Sequence, residues 1–311
     1  LQKNVNIMHP KKIVVVGSCN TDMVIKAERL PVPGETILGG TFLMNSGGKG
    51  ANQAVAAARL GGDVTLISKT GNDLFGKQSV VLYNSENINT EFIFSDSKLP
   101  SGVALITVDS MGENCIVVAS GANGNLKPKD IDKAMKAIES ADIILMQLEI
   151  PIETVEYVAQ LGALKGKMVI LNPAPAQALS DSLLRHIDII VPNKSEAEIL
   201  SGIKVTDAKS AKKAADLISK KGVDNVVITL GSQGALILEK STYHLVPAHI
   251  VEAVDTTAAG DTFCGSLCVG LANQKSLLDS VKFAVKASAI TVTRMGAQSS
   301  LPYYSELSLI E

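Results

Sequence analysis

The chain has 311 residues, 46% of them hydrophobic, with 29 basic and 31 acidic side chains giving a net charge of −2. That length and apolar content suit one large α/β domain with an appendage, or two domains. Near-neutral charge, 4% aromatics and no Trp argue against a nucleic-acid platform, and no apolar run approaches the roughly 18 residues that span a bilayer.

Residues 1–8 lack the apolar core of a secretory leader, so 1–11 read as a lead-in, disordered ahead of the first strand. Residues 12–17, Lys-Ile-Val-Val-Val-Gly, form the β-branched run of a buried parallel strand. From 20 to 45 the texture changes, with turn punctuation at 30–34 and a strand-like piece at 36–38. The alanine-rich stretch 47–61 reads as a helix between two glycines, followed by a strand at 64–68 and a helix over 73–85. Residues 101–109 and 113–118 predict a β-hairpin with Gly112 in its turn. Beyond it, strands at 143–146, 168–171, 187–191, 226–230 and 250–254 alternate with helices at 128–140, 152–164, 208–221 and 264–271. This alternation predicts a three-layer, doubly wound, mostly parallel sheet covered by helices on both faces. The stretches 20–45 and 100–119 predict a small projecting β-sheet, a lid or dimerisation surface, set on a large domain of 12–19, 46–99 and 120–311.

The cysteines, Cys19, Cys115, Cys264 and Cys268, are spaced for neither a disulfide framework nor a zinc site. A reduced, cytoplasmic setting is the expectation, with Cys264 and Cys268 as buried thiols on one helix face.

Several strand ends carry chemistry. Asp255 and Asp261 bracket Thr256, Thr257, Ala258, Ala259 and Gly260 ahead of a buried helix. Small residues at a helix start leave N–H groups open to an anion, and Asp261 beside them can take a proton from a hydroxyl. The alternative is a small-residue turn whose first-turn acid merely suits the helix dipole. Gly47-Gly48-Lys49-Gly50 fails as a P-loop, because Leu43 and Gly50 stand where Gly and Ser or Thr are required. Its glycines offer N–H groups at a helix start, with Asn52 one turn in. Asn20, Asp22 and Glu149 follow strand ends, where α/β sheets bind ligands. Asn193 and Glu196 read either as holding a hydrated Mg²⁺ or as an N-cap pair. The segment 229–234 reads as a nucleotide loop or as a plain hairpin turn.

Taken together, these segments resemble the PfkB family of ribokinase-like carbohydrate kinases from about residue 13 to 301. The likeness rests on 47–61 and 255–263, with shorter pieces at 17–22, 33–36, 146–149, 172–176, 192–198, 228–234 and 293–298. The resemblance implies ATP-dependent phosphorylation of D-ribose at O5. Asp261 would be the general base, and Ala258, Ala259 and Gly260 the anion pocket. Asn20, Thr21, Asp22, Gly48, Lys49, Gly50, Ala51, Asn52 and Glu149 would form the sugar site. The ATP and Mg²⁺ side would comprise Asn193, Glu196, Thr229, Leu230, Gly231, Ser232, Gln233, Gly234, Gly260, Asp261 and Val285. A monovalent cation, K⁺, is implied at Asp255, Thr257, Thr291, Arg294, Gly296 and Ser300, and a homodimer through the lid sheet. Ser46, Lys194 and Ser299 depart from the family pattern without removing a proposed ligand. Rival expectations are a relative acting on deoxyribose, another sugar or a nucleoside, and a catalytically silent binding regulator.

Overall fold

The computed structural model describes residues 11–111 and 113–310. The lead-in 1–10 and Gly112, expected at a hairpin turn, lie outside the described residues. Thirteen strands run in the described chain. They are β1 (Lys12–Val16), β2 (Asn20–Lys26), β3 (Thr41–Gly47), β4 (Asp63–Gly71), β5 (Ile93–Asp96), β6 (Gly102–Val108) and β7 (Asn114–Ala119), then β8 (Ile143–Met146), β9 (Met168–Leu171), β10 (Ile189–Ile190), β11 (Asn225–Thr229), β12 (Ala235–Glu239) and β13 (Thr242–Val246). The helices are α1 (Lys49–Arg59), α2 (Leu74–Ser85), α3 (Pro128–Lys133), α4 (Met135–Ser140), α5 (Ile152–Leu164), α6 (Asp181–Leu184), α7 (Lys194–Ser201), α8 (Ala208–Ser219), α9 (Ala259–Ala272) and α10 (Leu277–Thr291).

Nine strands form one sheet in the order β13-β12-β11-β10-β9-β8-β1-β4-β5. Pairing is parallel from β5 to β11, and β12 alone runs against its neighbours. Successive side chains of a strand point to opposite faces, so β1 feeds two cores. Ile13 and Val15 pack on α1, α9 and α10, while Val14 and Val16 face the side carrying α5, α7 and α8. The expected three layers follow directly from that alternation. No helix among the described residues is long and apolar enough to cross a membrane.

Helices α1 and α9 pack backbone to backbone. A Cβ at Gly265 would lie 2.6 Å from the Gln53 carbonyl oxygen and 2.9 Å from Ala56 Cβ. The alanines of α1 and the glycine of α9 therefore bring Asn52 and Gln53 onto the start of α9. β2, β3, β6 and β7 form a separate four-stranded sheet in the order β3-β2-β6-β7.

Some expected elements differ. Residues 250–254 have no strand partner; they form a loop in which Val251 lines a cavity and Ile250 is fully exposed. Apolar content there serves a pocket wall rather than a sheet. The 36–38 piece is likewise irregular. The 128–140 helix is broken at Ala134, whose N–H turns to the Ile131 carbonyl. The strand expected at 187–191 is reduced to Ile189–Ile190.

Candidate active site

Helix α9 begins without a side-chain cap, its N-cap Ala258 held in the left-handed region at φ 59°. A non-glycine residue there costs about 1 kcal/mol or more and marks a constrained turn. The Ala259 N–H donates to the Thr256 carbonyl at 3.3 Å. The N–H groups of Gly260 and Asp261 find no acceptor among the described residues. A Cβ at Gly260 would meet no atom within 4 Å, so unpaired donors with the dipole behind them face open space.

Asp261 stands one residue on, 6% exposed. Asn52 Nδ2 donates to its Oδ2 at 3.0 Å, and Gln53 Nε2 donates to its Oδ1 at 2.9 Å. Burial pushes the carboxyl above its usual range, while the Lys49 ammonium and the two amides pull it back. The same pairing raises Lys49, chiefly through the charge of Asp261. Gln53 is itself oriented: it accepts from Gln147 Nε2 at 2.6 Å and donates to Asn172 Oδ1 at 3.1 Å. Gln298 donates to Asn52 Oδ1 at 3.2 Å. A chain of buried amides thus fixes the carboxylate and favours its charged form.

The sugar-side candidates gather beside it. Asn20 and Asp22 share one face of β2, whereas Thr21 alternates to the other and is buried. Asp22 is pushed up to about 6, first by burial and then by the charges of Glu149 and Asp261. Its carboxylate packs against Gly47, where a Cβ would come within 2.0 Å of Oδ2. Glu149 Oε2 accepts from Ser18 Oγ at 2.6 Å and from Lys49 N at 3.0 Å. Gly48, at φ 87°, turns the chain into α1. The expectation that this helix start offers free N–H groups narrows to Gly48, whose N–H has no acceptor among the described residues. Lys49 N goes to Glu149, while Gly50 N and Ala51 N go to Ser18 Oγ and the Ser18 carbonyl. Gly50 is enclosed and Ala51 lies in the core, so neither presents a side to the cleft.

Two cavities meet at Gly260. One, of about 200 Å³, is lined by Lys49, Asn172, Asn193, Glu196, Asp261 and Cys264 among others. The second, of about 300 Å³, is bounded by Gly231, Ser232, Gly234, His249, Phe263 and Val285 among others. Thr229, Thr256 and Gly260 belong to both. Segment 229–234 is the hairpin turn between β11 and β12, and its Thr229, Gly231, Ser232 and Gly234 also line the larger cavity. Leu230 instead belongs to the core, and Gln233 turns away to accept from Lys194 Nζ at 3.2 Å. Asn193 and Glu196 form a reciprocal cap of α7, each Glu196 oxygen accepting from Asn193 at 2.8 Å. Burial raises the Glu196 carboxyl. Its oxygens keep further lone pairs toward the cavity, which fits a Mg²⁺ held through its own water shell.

Behind α9, Asp255 ties two segments together, accepting from Thr257 N at 2.9 Å and Gly296 N at 2.8 Å. Burial opposes its charge, yet these N–H groups hold the carboxyl below the usual range. The Thr291 hydroxyl pairs with Thr262 at 2.8 Å, and Ser300 donates to the Ala297 carbonyl at 2.7 Å. The Arg294 side chain is committed to Glu306 at 2.7 Å, leaving only its carbonyl for a cation. The donors remaining are all oxygen, which suits a hard monovalent ion.

Fold and site together define a carbohydrate kinase: the chain belongs to the pfkB family of carbohydrate kinases, whose profile matches residues 10–303. It is 46% identical to the ribokinase of Haemophilus influenzae, over 95% of this chain and 97% of that one. The deoxyribokinase of Salmonella typhi is 38% identical over 93% and 95% of the two chains. The Arabidopsis thaliana ribokinase, solved with ribose and ATP, superimposes with a TM-score of 0.91 at 31% identity, covering 97% of this chain and 98% of that one.

The sequence reading missed Gln53, Asn172 and Ser18. Gln53 and Asn172 were signalled by a polar side chain set in or ending an otherwise apolar or alanine-rich run, the mark of a buried hydrogen-bond partner, whereas Ser18 stands in a polar stretch and carries no such signal.

Proposed function

We propose that the protein transfers the γ-phosphoryl group of ATP to O5 of D-ribose, giving ribose 5-phosphate and ADP. One observation carries this reading. A buried carboxylate, gripped by two amides, stands beside unpaired helix-start N–H groups where two cavities join. Asp261 accepts the proton of the sugar hydroxyl as it attacks. The N–H groups of Gly260 and Asp261 and the Lys49 ammonium hold charge on the transferring phosphoryl group, since such transfer depends on positioning and charge stabilisation. Asp22, Asn20 and Glu149 bind the sugar hydroxyls. The 300 Å³ cavity takes the nucleoside of ATP, with Val285 against its base.

Mg²⁺, held through water by Asn193 and Glu196, would neutralise phosphate charge. A K⁺ ion held by Asp255 and the carbonyls of the 291–300 segment would brace the loop leading into α9. The four-stranded sheet closes over the sugar and excludes water, and its exposed apolar side chains support a homodimer. We place the enzyme in the cytoplasm, in keeping with its free thiols.

The test is ADP release with D-ribose, 2-deoxy-D-ribose, D-fructose and adenosine, with and without K⁺. The expected outcome is ribose-dependent release that K⁺ enhances. Preference for another acceptor would reassign the substrate, and no release with any of them would make the protein a binding regulator.

A further inference from the structure

Asn123 lies in the short 3₁₀ turn Gly121–Asn125 that follows β7, and is 1% exposed. Its Oδ1 accepts from the Cys19 backbone N–H at 2.9 Å. A backbone N–H only donates, so this bond fixes which end of the Asn123 amide is oxygen. Its Nδ2 therefore donates, to the Cys19 carbonyl at 2.9 Å and to Asn20 Oδ1 at 2.7 Å. The oxygen end of Asn20 is thereby consumed, and Nδ2 is the end left over. No described residue accepts from it, and it is not among the enclosed polar atoms that lack a partner. Asn20 thus presents a donor, on the β2 face that also carries Asp22.

The backbone opposite is shaped to this pair. A Cβ on Gly102 would stand 2.2 Å from Asn20 Oδ1 and 2.3 Å from Asn123 Nδ2. The cleft then holds complementary partners: Asp22 and Glu149 accept from hydroxyl hydrogens, and Asn20 donates to a hydroxyl oxygen. Among this chain's relatives are a ribokinase and a deoxyribokinase, named for sugars that differ by one such oxygen.

We propose that Asn123, seated against Gly102, is a specificity-determining positioning residue that locks Asn20 as a donor to the 2-hydroxyl of ribose and so sets the preference over 2-deoxyribose. The proposal rests on the ribose reading above. Without Asn123 the Asn20 amide is free to turn, and part of its population offers oxygen to oxygen. A site built to hydrogen-bond a hydroxyl discriminates against the analogue lacking it only while its own polarity is fixed.

The test measures kcat and KM for D-ribose and 2-deoxy-D-ribose in the wild type, Asn20→Ala, Asn123→Ala and the double variant. In Asn123→Ala the ratio of kcat/KM for ribose over deoxyribose falls about tenfold, through KM for ribose, while kcat and KM for ATP stay within about twofold. The double variant matches Asn20→Ala, because Asn123 acts through Asn20. An equal loss on both sugars, or a double variant well below Asn20→Ala, overturns the proposal. Should Asn123→Ala fail to fold, Asn123→Asp keeps the bond from the Cys19 N–H but faces the Cys19 carbonyl and Asn20 with an acceptor. Its ratio also falls; an unchanged ratio overturns the proposal. Ribose turnover by the wild type with unchanged ratios sinks this inference alone, whereas no turnover of either pentose by the wild type sinks the functional reading with it.

Discussion

Gly260 sits in the first turn of α9 with room for a methyl group that the protein does not fill. Gly→Ala in a helix ordinarily stabilises by about 0.5–1 kcal/mol. If the space belongs to a phosphate, Gly260→Ala keeps or gains stability in urea titration yet loses about tenfold or more in kcat. Unchanged kcat would show that nothing needs that space. Asp22 makes a second, pH-dependent case. Its folded-state pKa of about 6 lies above the ordinary 3.8, so between these values the folded protein holds a proton that the unfolded chain has released. Stability is therefore fully present below the lower value and is lost as pH rises through the upper one. Asp22→Asn is expected to stabilise by on the order of 2 kcal/mol at pH 8, the gap closing below pH 4. A gap that does not change with pH would contradict the assignment. Asp261 and Asn52 were legible because each stands at a helix start among glycines and alanines that leave room for a ligand. Gln53 was not, because its role exists only through the close approach of α1 to α9.

Among the elements, the four-stranded sheet is the one most exposed on an apolar face. By register, Ile25, Phe42, Met44, Leu105 and Val117 share that face, and each is between 45% and 68% exposed. A contiguous patch of this kind marks an interaction surface. If it pairs two copies, a Leu105→Glu, Val117→Glu variant sediments as a monomer at micromolar concentration while the wild type sediments as a dimer. A monomeric wild type would remove the pairing. Short continuous apolar runs and longer stretches between turn signals were enough to read most strands and helices, since both report burial. They failed at 250–254, where apolar side chains line a cavity instead of a sheet, and at Ala134, where the α3–α4 break leaves no mark in composition. The free N–H groups expected at α1 are reduced to that of Gly48. Sequence locates a helix start, but not the Ser18 and Glu149 side chains that return from distant segments to occupy it.

At the scale of the molecule, a parallel sheet brings the ends of β1, β8, β9 and β11 to one edge, and α1 and α9 cross there with their N-termini converging on Asp261. This convergence, rather than any single motif, makes one carboxylate both buried and reachable. Its consequence is most directly tested by single-turnover phosphorylation of D-ribose by Asp261→Asn beside the wild type, with ribose affinity measured separately by calorimetry. Loss of a general base predicts a rate lower by about 10²–10⁴-fold with ribose affinity changed little. A variant that phosphorylates ribose at near wild-type rate would contradict the role given to Asp261 and the mechanism built on it.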